Sequence, residues 1–345
     1  MTFLRNHFSG FFAILILGLM AFGAVFAYFL APDSSPYANQ MNPALATLSP
    51  GTKVQFVHLH KEMKSEKVGV LQGLLFGTPP KTEMIAASKI DRLDNDWLIT
   101  ELASGMEKQF SQHQVAFTKD QTFHLGSDRY GRDLLSRLLI ATRVSFIIGF
   151  IAVSISLFIG VPMGLMAGYF GGWVDKVVMW LVNVLWTVPS LLLVIALTLA
   201  LGKGLFQVFL AIGLTMWVEV ARVVRGQVKS LRTRPYVEVA QMMGFSHFRV
   251  MFKHILPGVW HPVIVLAAAN FATAILLESG LSFLGYGAQP PTPTWGGMVK
   301  DHWPFLLMGK AYLVLWPGVC IVLLVLACML LGNALRDQTD PRREN

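Results

Sequence analysis

Few side chains in this chain of 345 residues are both reactive in type and spaced for chemistry. His58 and His60 lie two apart in KVQFVHLHK, so on a strand both would point to one face. With His113 or His124 they could ligate a metal, but no Cys or spaced carboxylate completes the set, and solvent-facing histidines are the preferred reading. Cys320 and Cys328 are eight residues apart, about 12 Å along a helix and beyond the roughly 7 Å limit for a disulfide. They read as small apolar filling of a helix. Glu219 lies three residues from Arg222, the spacing of a helical ion pair. Glu278 has apolar residues on both sides, and an acid in such surroundings is a functional candidate by default, with hydrogen bonding across a subunit contact as the competing role. No catalytic constellation is visible. A G-x-x-x-x-G-K-[ST] phosphate loop is absent, LGKGL around Lys203 lacks both the length and the Ser/Thr, and neither H-E-x-x-H nor G-x-S-x-G occurs. The chain is expected to be no enzyme and to bind no metal or cofactor of its own.

The elements that carry these residues are set by composition. At 54% hydrophobic and 14% charged, with mean hydropathy +0.54, the chain is too apolar for an ordinary soluble domain. A hydrocarbon core needs about 20 apolar residues per helix. Candidate spans fall at roughly 11–31, 144–168, 177–201, 204–221, 258–280 and 311–334, which predicts an all-α polytopic protein of six transmembrane helices. The first apolar run is too long for the core of a signal peptide and no clean A-x-A-like site follows it, so it reads as an uncleaved anchor. Pro162 and Pro189 are expected to kink their helices.

Between the fourth and fifth spans stand Arg222, Arg225, Lys229, Arg232, Arg234, Arg249 and Lys253 against the single acid Glu238, and the tail adds Arg336, Arg342 and Arg343. Positive charge on short loops marks the cytoplasmic side, which places this loop and both termini there and the segment 32–123 outside. The net charge of +8 is therefore mainly a topology signal, and without interleaved stacking aromatics it does not indicate nucleic acid. In the outer segment, KVQFVHLHK and VGVLQGLLFG read as strands, and IDRLDNDWLITELASGMEKQF as a helix with Leu98, Leu102 and Met106 on one face. A small α+β lobe is expected. QPPTPTWG (289–296) cannot be a regular helix, because Pro290, Pro291 and Pro293 remove donors; it reads as an ordered outer loop, either a stiff connection or a gate.

The loop YVEVAQMMGFSHFRVMFKHILP (236–257) interrupts the apolar pattern. Arg249 and Lys253 cost about 2.5–3.5 kcal/mol each at a helix centre, so no span runs here. Tyr236 to Met243 makes about two turns, Gly244 is placed to end them in a left-handed conformation, and Ser246 can cap a second helix. In that helix Phe248, Met251, Phe252 and Ile255 share one face, opposite Arg249 and Lys253. Pro257 then opens the fifth span. Such a pair of short helices is either a membrane-surface anchor or a docking knob for a cytoplasmic partner.

The spacing of Glu238 and Ala240, then Gly244, then Leu256-Pro257 resembles the EAA loop of ABC-importer permeases, with Val239 and His254 departing from the pattern. HLGSDRYGRDLLSRLL (124–139), GYFGGWVDK (168–176), VPSLLLVIAL (188–197), ESGLSFLGYGAQPPTPTWGGM (278–298) and LRDQTDP (335–341) narrow the likeness to the "C"-type permeases of dipeptide, oligopeptide and nickel importers. The resemblance covers most of 124–345. It implies a type I ABC importer permease fold, with a permease domain over 124–335, its coupling loop at about 227–257, and a cytoplasmic tail at 336–345. The parts outside it are the N-terminal tip with the first helix (1–31) and the extracytoplasmic insert (32–123), which nothing in the resemblance explains.

What the resemblance implies is a multi-pass inner-membrane subunit carrying half of a translocation path. Its partners would be a second permease subunit, in a likeness to heterodimers, two ATP-binding subunits that hold ATP and Mg, a solute-binding protein outside, and the bilayer. Glu238, Ala240, Gly244, Leu256 and Pro257 would form the ATPase-coupling element. Glu278, Pro291 and Trp295 are the candidates for the permease contact or the solute path. Peptides lead as solute, with nickel or another small solute behind. An ATP-independent carrier or channel is the reading from a different class, and it would call for charged or broken helices near the bilayer midplane.

Overall fold

The computed structural model describes residues 8–60, 69–80, 82–93, 96–202 and 204–339. Lys203 and the tail arginines Arg342 and Arg343 lie outside them. Two compact units emerge, a helical one built around Ser145–Gln289 and Val319 onward, and a second comprising Phe22–Val144 and Pro290–Gly318.

The second unit holds a five-stranded antiparallel sheet of order β4-β3-β2-β1-β5. Its strands are β1 (Thr52–His60), β2 (Thr82–Arg92), β3 (Asp96–Glu101), β4 (Glu107–Ser111) and β5 (Val115–Phe123). The strand β1, paired on both sides with β2 and β5, buries side chains on both faces. Val54 and Phe56 join Leu45, Ala86 and Phe123 on one side, while Val57 joins Ala87, Ile99 and Val115 on the other. The expected strand at KVQFVHLHK is therefore present. Two expectations for this segment fail. VGVLQGLLFG is a helix over Val70–Phe76, since leucine and glutamine favour helix and Gly77, at φ 79°, stops it. The helix expected across 90–110 is instead the turn-linked pair β3 and β4. There Ile99 pairs with Ile90 across the ladder and is fully buried, whereas Leu102 and Met106 are exposed. Their helical spacing was a coincidence overridden by Gly105, whose φ of +66° makes the turn.

Numbering the helices in chain order, α1 is Phe8–Val25, α2 Ala27–Leu30 and α3 Val70–Phe76; α4 is Leu134–Phe170, α5 Gly172–Trp186, α6 Ser190–Leu201 and α7 Leu205–Arg232. Then come α8 (Pro235–Met242), α9 (His247–Arg249), a π-helical turn (Val250–Ile255), α10 (Leu256–Leu284), α11 (Trp295–His302) and α12 (Tyr312–Thr339). Among the described residues, four helical stretches are long and apolar enough to cross a membrane: Leu134–Phe170, Leu205–Arg232, His247–Leu284 and Tyr312–Asp337. The expected span at 177–201 is not one straight helix but α5 and α6, bent by 92°. Pro189 explains the break, because its ring disfavours helical geometry at Val188. The first expected span is a shorter apolar helix, Ser9–Val25, followed after Phe26 by α2.

Close approach of α4 and α7 organises the helical unit. Gly160, Gly164 and Gly168 recur every fourth residue of α4, and a Cβ at each would come within 2.6 Å of Val220 Cβ, the Ala221 carbonyl and Val228 Cβ respectively. Only glycine leaves room for the two backbones, which is how membrane helices gain contact where lipid removes any hydrophobic drive.

Candidate functional site

The segment between α7 and α10 is tied to the helical unit at several points. On α7, Arg225 Nε and Nη2 donate to the two carboxylate oxygens of Asp175 at the start of α5, and Lys229 Nζ donates to Asp175 Oδ2 at 2.8 Å. Pro235 opens α8 at a position where its missing N–H costs nothing. Glu238 stands in the first turn of α8, where the helix dipole favours an acid, and is exposed. Its neighbours Val237 and Ala240 are buried with Val220, Val224 and Val228. Ala240 is thus a packing residue and Glu238 a presented one.

Gly244 ends α8 with φ +77°. Phe245 N donates to the Ala240 carbonyl and Gly244 N to the Gln241 carbonyl, the paired bonds of a Schellman motif. A Cβ at Gly244 would meet nothing within 4 Å, so the positive φ alone selects glycine here. Ser246 caps the next helix, its Oγ accepting from Arg249 N at 3.4 Å. The bend is held from α4, where Tyr169 OH lies 2.9 Å from His247 Nδ1 and accepts from Gln241 Nε2 at 3.5 Å. Tyr169 was not singled out in the sequence, since a lone tyrosine in GYFGG carries no spacing signal.

The second amphipathic helix differs from expectation. It does not stop before the fifth span but continues into it as one stretch, His247–Leu284, through the π turn. Pro257 removes the N–H that an α-helix would aim at the Lys253 carbonyl, and the turn before it takes the wider i→i+5 bonding. The face rotates accordingly. Val250, Met251 and Ile255 are buried, whereas Phe248 and Phe252 are exposed and lie against each other at 4.3 Å. Leu256 packs at the edge of the buried cluster and Pro257 is exposed. Tyr236, Val239, Met242, Met243 and Phe248 add an exposed apolar surface on the same segment as Glu238.

The other candidate residues are scattered. Glu278 is fully buried on α10 and accepts a hydrogen bond of 2.6 Å from Ser282 Oγ one turn later. Pro291 is exposed and follows a cis peptide bond. Trp295 is fully buried at the start of α11, where Thr294 Oγ1 accepts from Gly297 N at 3.1 Å. Glu278 belongs to the helical unit and the other two to the sheet-bearing unit. The expected Glu219–Arg222 pair is not formed. Arg222 donates to Asn183 Oδ1 at 3.2 Å and stacks over the Trp186 ring at 3.2 Å, because it points to α5 while Glu219 points away. Nor does Glu219 stand near the end of its helix, since α7 runs on to Arg232. His58 faces protein, stacked on Phe117 at 4.2 Å with Nδ1 2.8 Å from Thr82 Oγ1; burial and Lys119 hold its pKa below the ordinary 6.5.

The sheet-bearing unit contains a polar core within SDRYGRD. Asp128 is fully buried and accepts from Tyr130 N, Arg132 N and Arg132 Nε at 2.8, 3.0 and 2.6 Å, with Arg137 Nε at 3.7 Å. Beside it, burial pushes the Asp133 carboxyl pKa up from 3.8 against the hydrogen bonds from Ser136.

The family model described as "Binding-protein-dependent transport system inner membrane component" matches residues 160–345. The glutathione transport system permease protein GsiD of Pectobacterium atrosepticum is 38% identical over 218 residues, 63% of this chain and 72% of that protein. The dipeptide transport system permease protein DppC of Alkalihalophilus pseudofirmus is 39% identical over 220 residues, 64% and 72%. The di/tripeptide permease DppC of Pseudomonas aeruginosa is 40% identical over 223 residues, 65% and 73%. Among solved structures, an inward-facing form of the MetNI methionine ABC transporter matches with TM-score 0.47 and 20% identity, over 59% of this chain and 97% of that one. With the family model spanning more than half of the chain and the bend at Gly244 lying inside it, this chain belongs to the family of inner-membrane components of binding-protein-dependent transport systems.

Proposed function

We propose that the chain is the permease subunit of an ATP-binding-cassette importer for peptides, and that the 236–257 loop couples it to the ATPase. The single observation that carries the coupling role is the Schellman bend at Gly244, which turns Ala240 inward and presents Glu238 with an apolar surround. Relatives named for dipeptides, di/tripeptides and glutathione favour a peptide over nickel as solute. In this reading the chain crosses the membrane six times, counting the first apolar helix and the α5–α6 pair as one span each. Both termini and the basic loop face the cytoplasm, and 32–123 lies outside. The chain forms half of the path beside a second, different permease subunit, two ATP-binding subunits carry ATP and Mg, and a solute-binding protein delivers the peptide.

Gly244 provides the test. A left-handed backbone costs an ordinary residue about 1–2 kcal/mol, Asn tolerates it, and a β-branched residue resists it. Gly244→Val is expected to insert normally but to lose most binding-protein-stimulated ATPase in the assembled complex, while Gly244→Asn stays near wild type. Equal stimulation per inserted complex for all three would leave the loop a membrane-surface anchor.

A further inference from the structure

The helical unit contains a cleft of about 830 Å³ between α7, α10 and α12. From α7 it takes Glu219, Val223 and Gln227, each one turn from the next and so on a single face. The adjoining row of α7, about 100° round the helix, is used up, with Val220, Val224 and Val228 fully buried. Across the cleft stand His261 of α10 and Arg336 near the C-terminus of α12.

The depth of each group follows from the helix contacts. A Cβ at Gly258 would meet Leu231 at 2.9 Å, which sets the start of α10 level with the basic end of α7. Glu219 lies eight residues before Gln227, about 12 Å further along the helix. The cleft therefore carries its one acid at one end and its basic groups toward the other. A carboxylate on an exposed face of a membrane helix is not left to acyl chains; it meets water, solute or protein. The volume falls within the roughly 300–1,000 Å³ of small-molecule sites.

We propose that this cleft is a water-filled part of the translocation path, in which Glu219 receives the ammonium group of a zwitterionic solute while His261 and Arg336 face its carboxylate. The charge order orients the solute with its amine toward Glu219 and its carboxylate toward the basic ends of α7 and α12. This assignment rests on the reading of the chain as a peptide permease.

The test uses the assembled transporter with its second permease, ATP-binding subunits and solute-binding protein, carrying Val223→Cys, in inside-out vesicles. The unsubstituted chain gives the background from Cys320 and Cys328. A cationic methanethiosulfonate is expected to react about tenfold faster than an anionic one of similar size, because the charge of Glu219 one turn away concentrates counter-ions, and Glu219→Gln, which leaves Arg336 in the cleft, should bring the ratio to about one or below. Dipeptide uptake should fall about tenfold in Glu219→Gln complexes of matched subunit composition, the scale of one lost charge-assisted hydrogen bond. An unreactive Val223→Cys would mean that lipid or the partner subunit covers the face, and would overturn the proposal. Reaction without charge preference, or full uptake with Glu219→Gln, would equally remove Glu219 from the path. A wild-type complex whose ATPase responds to the binding protein but which takes up no dipeptide would overturn the peptide reading instead.

Discussion

The two units bury polar and apolar groups by opposite means. In the sheet-bearing unit the core is conventional, with Val54, Phe56, Val57 and Ile99 buried across antiparallel strands, and charge is drawn fully inside as the Asp128–Arg132 pair. In the helical unit one close crossing is made by glycines against valines, and the Arg225–Asp175 ion pair stays part-exposed, between the body of α7 and the start of α5. Water supplies a hydrophobic drive that can offset the desolvation of a well-bonded ion pair. Lipid supplies none between helices, so backbone proximity has to provide contact.

The contrast predicts unequal sensitivity. Removing the acid from the buried cluster should have the largest effect. Asp128→Ala leaves Arg132 and Arg137 without their carboxylate and is expected to cost the sheet-bearing unit about 3–5 kcal/mol, measured by limited proteolysis against denaturant. A loss below 1 kcal/mol would place Asp128 with surface pairs and erase the contrast. Next is Gly164→Leu, whose Cβ would stand 2.6 Å from the Ala221 carbonyl. Overpacking of this kind costs about 1–3 kcal/mol or more, read as loss of detergent resistance, whereas Gly18→Leu, with nothing within 4 Å, should be near neutral.

The smallest effect is a pH dependence confined to the sheet-bearing unit. His302 is buried with Nδ1–H donating to the Met298 carbonyl at 2.7 Å, and desolvation holds its pKa below 6.5. Because the folded pKa is depressed, the unfolded segment takes up the proton first as pH falls. The stability of α11 is then complete above about pH 6.5 and declines below it. Hydrogen exchange across 295–306 should quicken between pH 6.5 and 5 in wild type and not in His302→Gln. Acceleration in both would assign the effect to other groups.

What could be read in the sequence was what local spacing encodes. Gly244 and Ser246 stand where a helix end and a cap require them, and the structure places a Schellman bend and a cap there, whereas Pro257, read as a helix start, lies inside the continuous stretch His247–Leu284. The strand at 52–60 was legible because β-branched and aromatic residues alternate in it. Contacts distant in sequence were not. Arg222 and Arg225 marked the end of a span, yet both lie inside α7, where Asn183, Trp186 and Asp175 of α5 satisfy them. That misplacement put Glu219 at a helix end and not at its middle. The faces of 248–255 were misassigned because a π turn cannot be seen in a period of 3.6.

The run from His247 to Leu284 is one stretch of 38 residues, about 57 Å at 1.5 Å per residue. Mechanically it is a single lever, with the exposed Phe248 at one end and the buried Glu278 near the other. Tilting such a rod by about 10° about its His247 end carries the far end about 10 Å sideways. The backbone ladder is loosened at the π turn and again at Pro262, so torque applied at the short end twists within 250–262 before it bends the rest of the span.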